Sequence, residues 1–566
     1  MSHLIKMLEK LYSPEDSQRI IRSLSLDESK ETTTTNKWHK DIYSYSVYPF
    51  SFCKNEQCGL PQLTKKLAYL QNLGISAIHI LPPFESPLID NGFDVSDYYS
   101  IRSDLGGNDA FDNFLHEATS RGMRVFLDFV LNHISDQHEW FQKALDGDAY
   151  YRDFFLWQKE RPAFIKSIEK EDGIFGRYEI EGKETDIRII FPDHAGEIPH
   201  WRQAGDGNWY FHTFYPEQID LNWFNPHVFI EMFKVIKYWG EKGVSFRLDA
   251  VRHIGKRWED GLKRETPETF TLIKLLHHMC ELVSPKSVFL VEANTDFDSL
   301  ERYWGTPHEK STDLAYNFQM TEALWTSFVL KNTSYLWKTI TQSKDIPSWG
   351  QWVTFLRNHD GLAFWYGSEE ERHEVISQLI PKGLAYRGGY AATGRTASLL
   401  DNDPRRICMA YFLLFSLPGC PSIIYGDEIG KENDSDYMKE QTELKRQRLD
   451  AAVEVVDDAR DISRGFITND LLENETGKKI YNTIKHMITV RKEYPDFSTT
   501  YPTQLTHDTE SLFAAQYTFG EKQLAVYINL SDTAQTMEIS ESTNDVLSIN
   551  DAHISQDTLT LPAYAG

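Results

Sequence analysis

Short apolar segments alternate with longer amphipathic stretches over residues 41–430 of this 566-residue chain. Each short segment has the length of a buried strand, whereas the longer stretches have the apolar spacing of helices. Such alternation is typical of repeated βα units, which build a parallel sheet. The clearest segments read DIYSYSVYPF, ISAIHILPP, MRVFLDFVLNH, VSFRLDAV, SVFLVEAN, WVTFLRNHD and PSIIYGDEIG.

A weaker segment, TDLAYNF at residues 312–318, would bring the number of strands to eight. Eight parallel strands close into a (β/α)8 TIM barrel, so we predict an α/β fold of this kind. The polar residues that end the segments would then meet at one mouth, because the carboxyl ends of barrel strands carry the chemistry. These residues are Asp128, Asn132, His133, Arg247, Asp249, Glu292, His359 and Asp360.

Three further regions flank or interrupt the predicted barrel. Residues 1–37 read as a helical arm that ends in the polar linker ETTTTNK, and residues 134–208 as a subdomain inserted after the third strand. From residue 497 to residue 566, segments of alternating polarity predict a small antiparallel β domain. The barrel itself would comprise residues 38–133 and 209–496.

The composition restricts the partners of the chain. A formal charge of −25 disfavours nucleic acid and anionic membranes, because phosphate binding depends on clustered Lys and Arg. Five thinly spread cysteines do not resemble the framework of a secreted disulfide-rich protein. No run approaches about 18 apolar residues and no signal peptide is evident, so we expect a cytoplasmic protein without a membrane span. The oligomeric state stays open.

The sequence gives no sign of a cofactor. No glycine-rich phosphate cradle is evident, so no organic cofactor is expected. The segment at residues 48–63 has too few oxygen ligands for calcium, and we predict no metal there. An ion near Asn132 is left open. A neutral small molecule is the expected substrate.

The stretch FRLD places Arg247 and Asp249 on one face of a strand, because side chains alternate along a strand. Alone, the two charges would be interpreted as a structural ion pair. Glu292 and Asp360 end two further strands, however, and crowded like charges destabilise a fold. Their presence is therefore better explained by function than by stability. Paired carboxylates are what glycoside hydrolysis requires, one as nucleophile and one as proton donor. We expect Arg247 to hold Asp249 ionised and burial to keep Glu292 protonated.

Four segments resemble the signatures of the α-amylase superfamily, glycoside hydrolase family 13, and occur in its order. They are DFVLNH (128–133), FRLDAVRH (246–253), FLVEAN (289–294) and FLRNHD (355–360). The resemblance implies a retaining mechanism, with Asp249 as nucleophile, Glu292 as general acid/base and Asp360 as the carboxylate that grips sugar hydroxyls. It also implies that His133 and His359 bind hydroxyls, that Arg247 orients the nucleophile and that Asp128 organises the site.

The stretch LIDNGFDVSDYY (88–99) resembles the segment with which exo-acting members of the family bind a terminal glucose. The resemblance implies that Asp90 binds this glucose and that Phe93 stacks on its ring. Such enzymes pair the aspartate with an arginine from the loop after the eighth strand. Arg460 is our candidate for that arginine, and Arg464 competes with it.

These residues favour an enzyme that cleaves a terminal α-glucosyl unit from a small sugar such as maltose, sucrose or trehalose. Several segments, among them WGQWVTFLRNHD and SLLDNDPRR, resemble trehalose synthases, so a maltose isomerase of that type is an alternative. A sucrose phosphorylase-like enzyme is another, for which Lys382, Arg387 and Arg395 are candidate phosphate ligands. A non-catalytic binding or transporter-subunit homologue is a remote alternative. Hydrolysis, transfer and phosphorolysis share every catalytic residue named here.

Overall fold

The structure is a computed structural model, and it describes nearly the whole chain. The described residues are 2–26, 37–52, 59–170, 173–180, 182–194, 198–449, 455–494, 496–539 and 546–566. Most of the ETTTTNK linker, residues 53–58 of the segment judged for calcium, and Cys53 and Cys58 lie outside them. The described cysteines, Cys280, Cys408 and Cys420, are free and buried.

Eight parallel strands form a closed barrel, which confirms the predicted fold. Each strand pairs with the next along the chain, and the eighth pairs with the first. The weak segment at residues 312–318 supplies the sixth strand. The strands are β1 (Ser44–Val47), β2 (Ala77–Ile80), β3 (Arg124–Val130), β4 (Ser245–Asp249), β5 (Phe289–Val291), β6 (Leu314–Tyr316), β7 (Gln351–Phe355) and β8 (Cys420–Ile424).

The barrel strands read as continuous apolar runs because both of their faces are buried, one by the barrel interior and one by the surrounding helices. Every residue of β4 is buried, including its two charged residues. The register places Arg247 directly beside Asp128 of β3, and Leu248 beside Val291, the last residue of β5. Strand pairing alone therefore brings three of the four signature segments together.

Helices surround the barrel, and several begin at a side-chain cap that satisfies a free backbone N–H. Asn317 caps the helix after β6 by accepting a hydrogen bond from the Met320 N–H, at 2.9 Å. The described helices are Ser2–Leu8, Pro14–Leu24, Leu60–Leu73, Gly107–Ser120, Glu139–Leu145, Ala149–Arg152, Pro226–Glu241, Pro267–Val283, Phe297–Trp304, Phe318–Leu330, Ser334–Gln342, Glu369–Leu379, Thr396–Leu399, Pro404–Phe415, Ser435–Arg448, Asn469–Glu473 and Glu475–Lys492.

The region after β3 forms two antiparallel sheets. Strands Phe164–Lys170, Gly173–Ile180 and Lys183–Arg188 make one of them. The other joins Trp157–Gln158, Trp201–Gln203 and Trp209–Phe211, so it continues past the boundary that we placed at residue 208. A short strand, Gln218–Asp220, then pairs with His133–Ser135 and ties this region to the end of β3.

Two three-stranded antiparallel sheets follow residue 497. One comprises Thr503–Gln504, Leu512–Phe519 and Lys522–Asn529, and the other Gln535–Glu538, His553–Ser555 and Thr558–Leu561. Phe513 of the first sheet stacks on Trp337 beside the barrel, with ring centroids 4.9 Å apart. This packing joins the C-terminal sheets to the barrel helices.

The two N-terminal helices, Ser2–Leu8 and Pro14–Leu24, pack against the outside of the barrel. The Tyr12 hydroxyl donates a hydrogen bond to the backbone oxygen of Trp223 at 2.7 Å. Among the described residues, no helix combines the length and the apolar character that crossing a bilayer requires.

Candidate active site

One guanidinium contacts three carboxylates at the ends of β3, β4 and β5. Nη1 of Arg247 donates to Asp128 Oδ1 at 2.7 Å and to Asp249 Oδ1 at 2.5 Å. Nη2 lies 2.9 Å from Oε1 of Glu292. The side chain of Arg247 is 1% exposed, whereas those of Asp249 and Glu292 are 11% and 18% exposed. The two candidate catalytic carboxylates thus reach the solvent side of a cation that is itself buried.

Asp128 lies behind this guanidinium and is fully buried. Its second oxygen is 3.0 Å from Nε2 of His79, and Nδ1 of His79 is 3.1 Å from the Ser46 hydroxyl. Burial opposes ionisation of Asp128, but Arg247 and His79 lower its pKa below the ordinary value. Asp128 therefore holds Arg247 in place as an anion, and it has no access to a ligand.

Asp249 and Glu292 are two buried acids that share the cation of Arg247. Burial, followed by the repulsion of neighbouring carboxylates, raises the pKa of both above the ordinary range, although Arg247 lowers both. Arg247 lowers the pKa of Asp249, but burial and the carboxylates of Glu292 and Asp128 outweigh this effect. Our expectation that Arg247 holds the pKa of Asp249 low is therefore wrong. A pair of this kind retains one proton more readily than either acid would alone.

A second arginine closes the pocket on another side. Nη2 of Arg460 donates to Asp90 Oδ1 at 2.6 Å, and Nη1 donates to Asp360 Oδ1 at 3.1 Å. Asp458 holds the same guanidinium from behind, at 2.8 Å and 3.0 Å. Burial opposes ionisation of Asp360, but His359 and Arg460 lower its pKa below the ordinary value. Arg460 thus joins two of the predicted sugar-binding carboxylates.

Arg464, which competed with Arg460 as the partner of Asp90, lies elsewhere. Its Nη1 donates to Asp461 at 2.9 Å and its Nη2 to the backbone oxygen of His359 at 3.4 Å. It is buried behind the loop that carries Asp360 and does not line the pocket. The structure therefore brings Arg460, and not Arg464, to Asp90.

An aromatic floor separates these two charged groups. The ring of Phe93 stacks on His359 at a centroid distance of 4.9 Å and an interplanar angle of 14°. Nε2 of His133 lies 3.2 Å from the backbone oxygen of Phe93. Burial lowers the pKa of His133 to about 4 and that of His359 to about 3. Both histidines are therefore neutral near pH 7 and can donate or accept a hydrogen bond.

These groups line one cavity of about 310 Å³. Asp90, Phe93, His133, Asp249, Glu292, His359, Asp360 and Arg460 all contribute to its wall. Of the arginines and the lysine considered for phosphate binding, Arg387 lines the cavity. Lys382 instead pairs with Asp401 at 2.8 Å, and Arg395 is fully buried beside Asp427.

The side chain of Asn132 faces a lysine. The buried ammonium of Lys256 donates to Asn132 Oδ1 at 2.6 Å and to the backbone oxygen of His253 at 2.5 Å, and it pairs with Asp220. This ammonium occupies the space between the oxygens that an ion near Asn132 would have used. Within the described part of the chain, no three His, Cys, Asp or Glu side chains are arranged to hold a metal.

One wall of the cavity was not predicted from the sequence. Tyr366 donates from its hydroxyl to Asn294 Oδ1 at 2.6 Å, two residues after Glu292. Arg188 lies 4.4 Å above the ring of Trp365, and the buried carboxylate of Glu322 lies beside them. The segment NFQMTEALW could have revealed this wall. It places a single acid, Glu322, in a helix whose residues on every face are buried, and a helix of that kind lies in the core.

Comparison with known proteins places the chain in a family. The model of the α-amylase catalytic domain matches residues 46–378. A trehalose synthase from Pimelobacter sp. is 33% identical over 420 residues, which are 72% of this chain and 69% of that protein. An α-glucosidase from Culex pipiens is 36% identical over 412 residues, which are 66% of this chain and 67% of that protein.

Solved structures share the fold. Isomaltulose synthase from a Klebsiella species aligns with a TM-score of 0.68 at 21% identity, over 94% of this chain and 99% of that chain. The closed barrel, the signature residues at its mouth and the match over more than half of the sequence agree with one another. The chain therefore belongs to the α-amylase family of glycoside hydrolases.

Proposed function

We propose that this chain is a retaining enzyme that removes a terminal α-glucosyl unit from a small sugar and passes it to water or to another sugar. One observation carries the proposal. Arg247 contacts both Asp249 and Glu292, and their cavity is closed elsewhere by the ion pair of Arg460 and Asp90. A closed end of this kind leaves room for the end of a sugar and not for the middle of a long chain.

Asp249 acts as the nucleophile in this proposal. Its carboxylate attacks the anomeric carbon, and a covalent glucosyl-enzyme forms as the bond to the departing oxygen breaks. The 2.5 Å contact with Arg247 orients the attacking group and favours its ionised form. In the occupied pocket the shared proton then resides on Glu292.

Glu292 acts as the proton donor and later as the base. It protonates the departing oxygen in the first step and takes a proton from water or a sugar hydroxyl in the second. Burial and nearby carboxylates raise its pKa, which suits an acid that must hold a proton near neutral pH. Asp249 and Glu292 would lie about 5–5.5 Å apart with a sugar between them, the spacing typical of retaining enzymes.

The remaining predicted residues would bind the glucose ring. Asp90 and Asp360 accept hydrogen bonds from its hydroxyls, and Arg460 orients both carboxylates. Phe93 covers the apolar face of the ring. The neutral rings of His133 and His359 complete the contacts to hydroxyls.

A trehalose synthase-type activity is the second candidate. A protein named trehalose synthase is 33% identical to this chain over most of its length, and transfer within the pocket would use the same two carboxylates. An enzyme named α-glucosidase is similarly related, which supports hydrolysis instead. The two candidates differ in the group that resolves the glucosyl-enzyme.

A product analysis tests both candidates. The enzyme is incubated with maltose, sucrose, trehalose and isomaltose, with and without phosphate, and the sugars are separated and identified. Free glucose indicates hydrolysis, a rearranged disaccharide indicates transfer, and glucose 1-phosphate indicates phosphorolysis. No turnover of these sugars or of α-glucosyl fluoride would overturn the proposed function.

A further inference from the structure

Glu322 is a buried acid that faces the cavity without belonging to any signature segment. It lies in helix Phe318–Leu330, which follows β6, and is 3% exposed. Oε2 accepts a hydrogen bond from the backbone N–H of Trp365 at 2.6 Å, and Oε1 accepts one from Gly367 at 2.6 Å. The N–H of Tyr366 lies 3.0 Å and 3.1 Å from the two oxygens. One carboxylate thus binds three consecutive backbone N–H groups.

These N–H groups belong to residues 361–368, which we call the β7 loop. This loop is the last part of the connection between β7, which ends at Phe355, and helix Glu369–Leu379. Gly367 allows the close approach, because a Cβ at that position would lie 3.2 Å from Oε1 of Glu322. Burying a carboxylate costs free energy unless hydrogen bonds replace its water. Here the loop backbone supplies hydrogen bonds, and the Tyr335 hydroxyl supplies a longer one, at 3.4 Å.

The anchored loop carries two side chains into the cavity wall. The Tyr366 hydroxyl binds Asn294, which follows Glu292 closely in sequence. The Trp365 ring lies under Arg188, which comes from the region inserted after β3. Trp365 and Tyr366 line the same cavity as Asp90 and Arg460, but their contacts are with Arg188 and Asn294.

We propose that Glu322 is a positioning residue that fixes the β7 loop as the wall of the site for the second sugar, the leaving group or acceptor. This inference rests on the proposed function and adds the residue that decides how a second sugar is held. Without the carboxylate, Trp365 and Tyr366 lose their fixed place beside Asn294. The second sugar is then held poorly, whereas the bound glucose keeps its own contacts.

Two substrates distinguish the contributions of the two sugar sites to turnover. α-Glucosyl fluoride has one sugar and a small leaving group, so its turnover depends on the glucose site. The comparison substrate is whichever of maltose, sucrose, trehalose and isomaltose the wild type cleaves fastest. The measured quantity is kcat/KM for the disaccharide divided by kcat/KM for the fluoride.

Glu322→Gln keeps the volume of the side chain but places an amide NH2 against backbone N–H donors. We expect the ratio to fall by at least about tenfold, because small misplacements of substrate-positioning groups have large effects on rate. Glu369→Gln is the control, since Glu369 is an exposed acid at the start of the following helix and does not line the cavity. It should leave the ratio as in the wild type.

The outcomes distinguish this inference from the proposed function. A wild type that releases no fluoride refutes both, whereas an active wild type and an unchanged ratio in Glu322→Gln refute the positioning role alone. An equal loss on both substrates would also overturn it, because that is the result of general unfolding. If Glu322→Gln fails to fold, Tyr366→Phe removes only the hydroxyl bound to Asn294, and it should lower the same ratio by about threefold. An unchanged ratio in Tyr366→Phe would then count against the inference.

Discussion

Two parts of the cavity wall are built in different ways. Around Asp90 and Arg460, side chains of opposite charge bind one another directly, at 2.6 Å. Around Glu322, a carboxylate binds the backbone of the β7 loop instead. The first arrangement fixes individual side chains with high specificity, because guanidinium and carboxylate geometries match. The second fixes a segment of chain and leaves its side chains free to vary.

This difference teaches where specificity can change within such a fold. The ion pair can hold only a ligand that satisfies the same charged groups, so the glucose end is restricted. The loop end can accept other side chains at residues 365 and 366 while its backbone keeps the same anchor. We therefore expect substitutions at the two ends to affect the fluoride and the disaccharide differently.

The largest effect should come from substitution of Asp249, because both substrates need the nucleophile. Asp249→Asn removes the attacking charge and should lower turnover of both substrates by roughly 10⁴-fold or more. The rates of fluoride release and disaccharide cleavage are measured. The control is Asp436→Asn, because Asp436 is an exposed residue that pairs with Lys439 on the surface. Azide should partly restore fluoride release in Asp249→Ala, with a β-glucosyl azide as product. Substantial activity in Asp249→Asn would exclude this residue as the nucleophile.

Arg460→Met should have the next largest effect and should act on the glucose end. It removes the cation that binds Asp90 and leaves Asp458 with the more distant ammonium of Lys445, at 3.6 Å, so kcat/KM should fall by about 10²- to 10³-fold for both substrates. Steady-state kinetics and a thermal melt are the measurements. Asp90→Asn combined with Arg460→Met should lose less than the sum of the single effects on a free-energy scale, because the residues interact directly. A loss of activity on the disaccharide alone would contradict the assignment of Arg460 to the glucose end.

Arg188→Met should have a smaller effect and should act on the loop end. The substitution keeps the length of the side chain but removes the cation above Trp365, an interaction worth about 0.5–2 kcal/mol. We expect kcat/KM to fall by about threefold for the disaccharide and less for the fluoride. Arg177→Met in the same sheet is the control, because Arg177 pairs with Asp186 and does not line the cavity. Equal losses on both substrates would show that Arg188 is not specific to the loop end.

The smallest effect concerns stability and follows from the raised pKa of Asp249. A folded-state pKa above the unfolded value means that stability falls as pH rises between the two. Asp249→Asn removes this cost, and Arg247 keeps Asp128 and Glu292 as partners. We expect Tm to rise by about 2 °C at pH 8 and the gain to shrink as the pH is lowered, because the folded wild type then carries less of this charge. Melting curves across this range test it, and a lower Tm at pH 8 would contradict it.

Much of the barrel could be predicted because its strands are buried on both faces and read as apolar runs. The sixth strand gave the weakest signal because its three residues, Leu314–Tyr316, are flanked by Asp313 and Asn317, whereas the equally short β5 lies in the longer apolar run SVFLV. Trp209–Phe211 is equally short, and its pairing with Trp201–Gln203 depends on neighbours that the local sequence does not show. Short strands are defined by their partners more than by their own residues.

Some features of the candidate site could be predicted from the sequence and others could not. Asp249, Glu292 and Asp360 could be located because each follows an apolar run and the runs end at one mouth. The burial of Asp249 and the carboxylates around it could not be foreseen, and together they raise its pKa in spite of Arg247. Burial and the number of charges around one cation are properties of packing, which a strand pattern does not contain.

The sequence by itself determined a barrel of eight strands, the family and the residues that end each strand, because periodicity and signature segments are local properties of the chain. The tertiary structure decided that Arg460, and not Arg464, meets Asp90, and that Glu322 anchors the β7 loop. Asp90 and Arg460 are 370 positions apart in the chain. Contacts over such separations depend on how loops pack around the barrel mouth. Small differences in this packing decide which of two nearby arginines becomes the partner of Asp90.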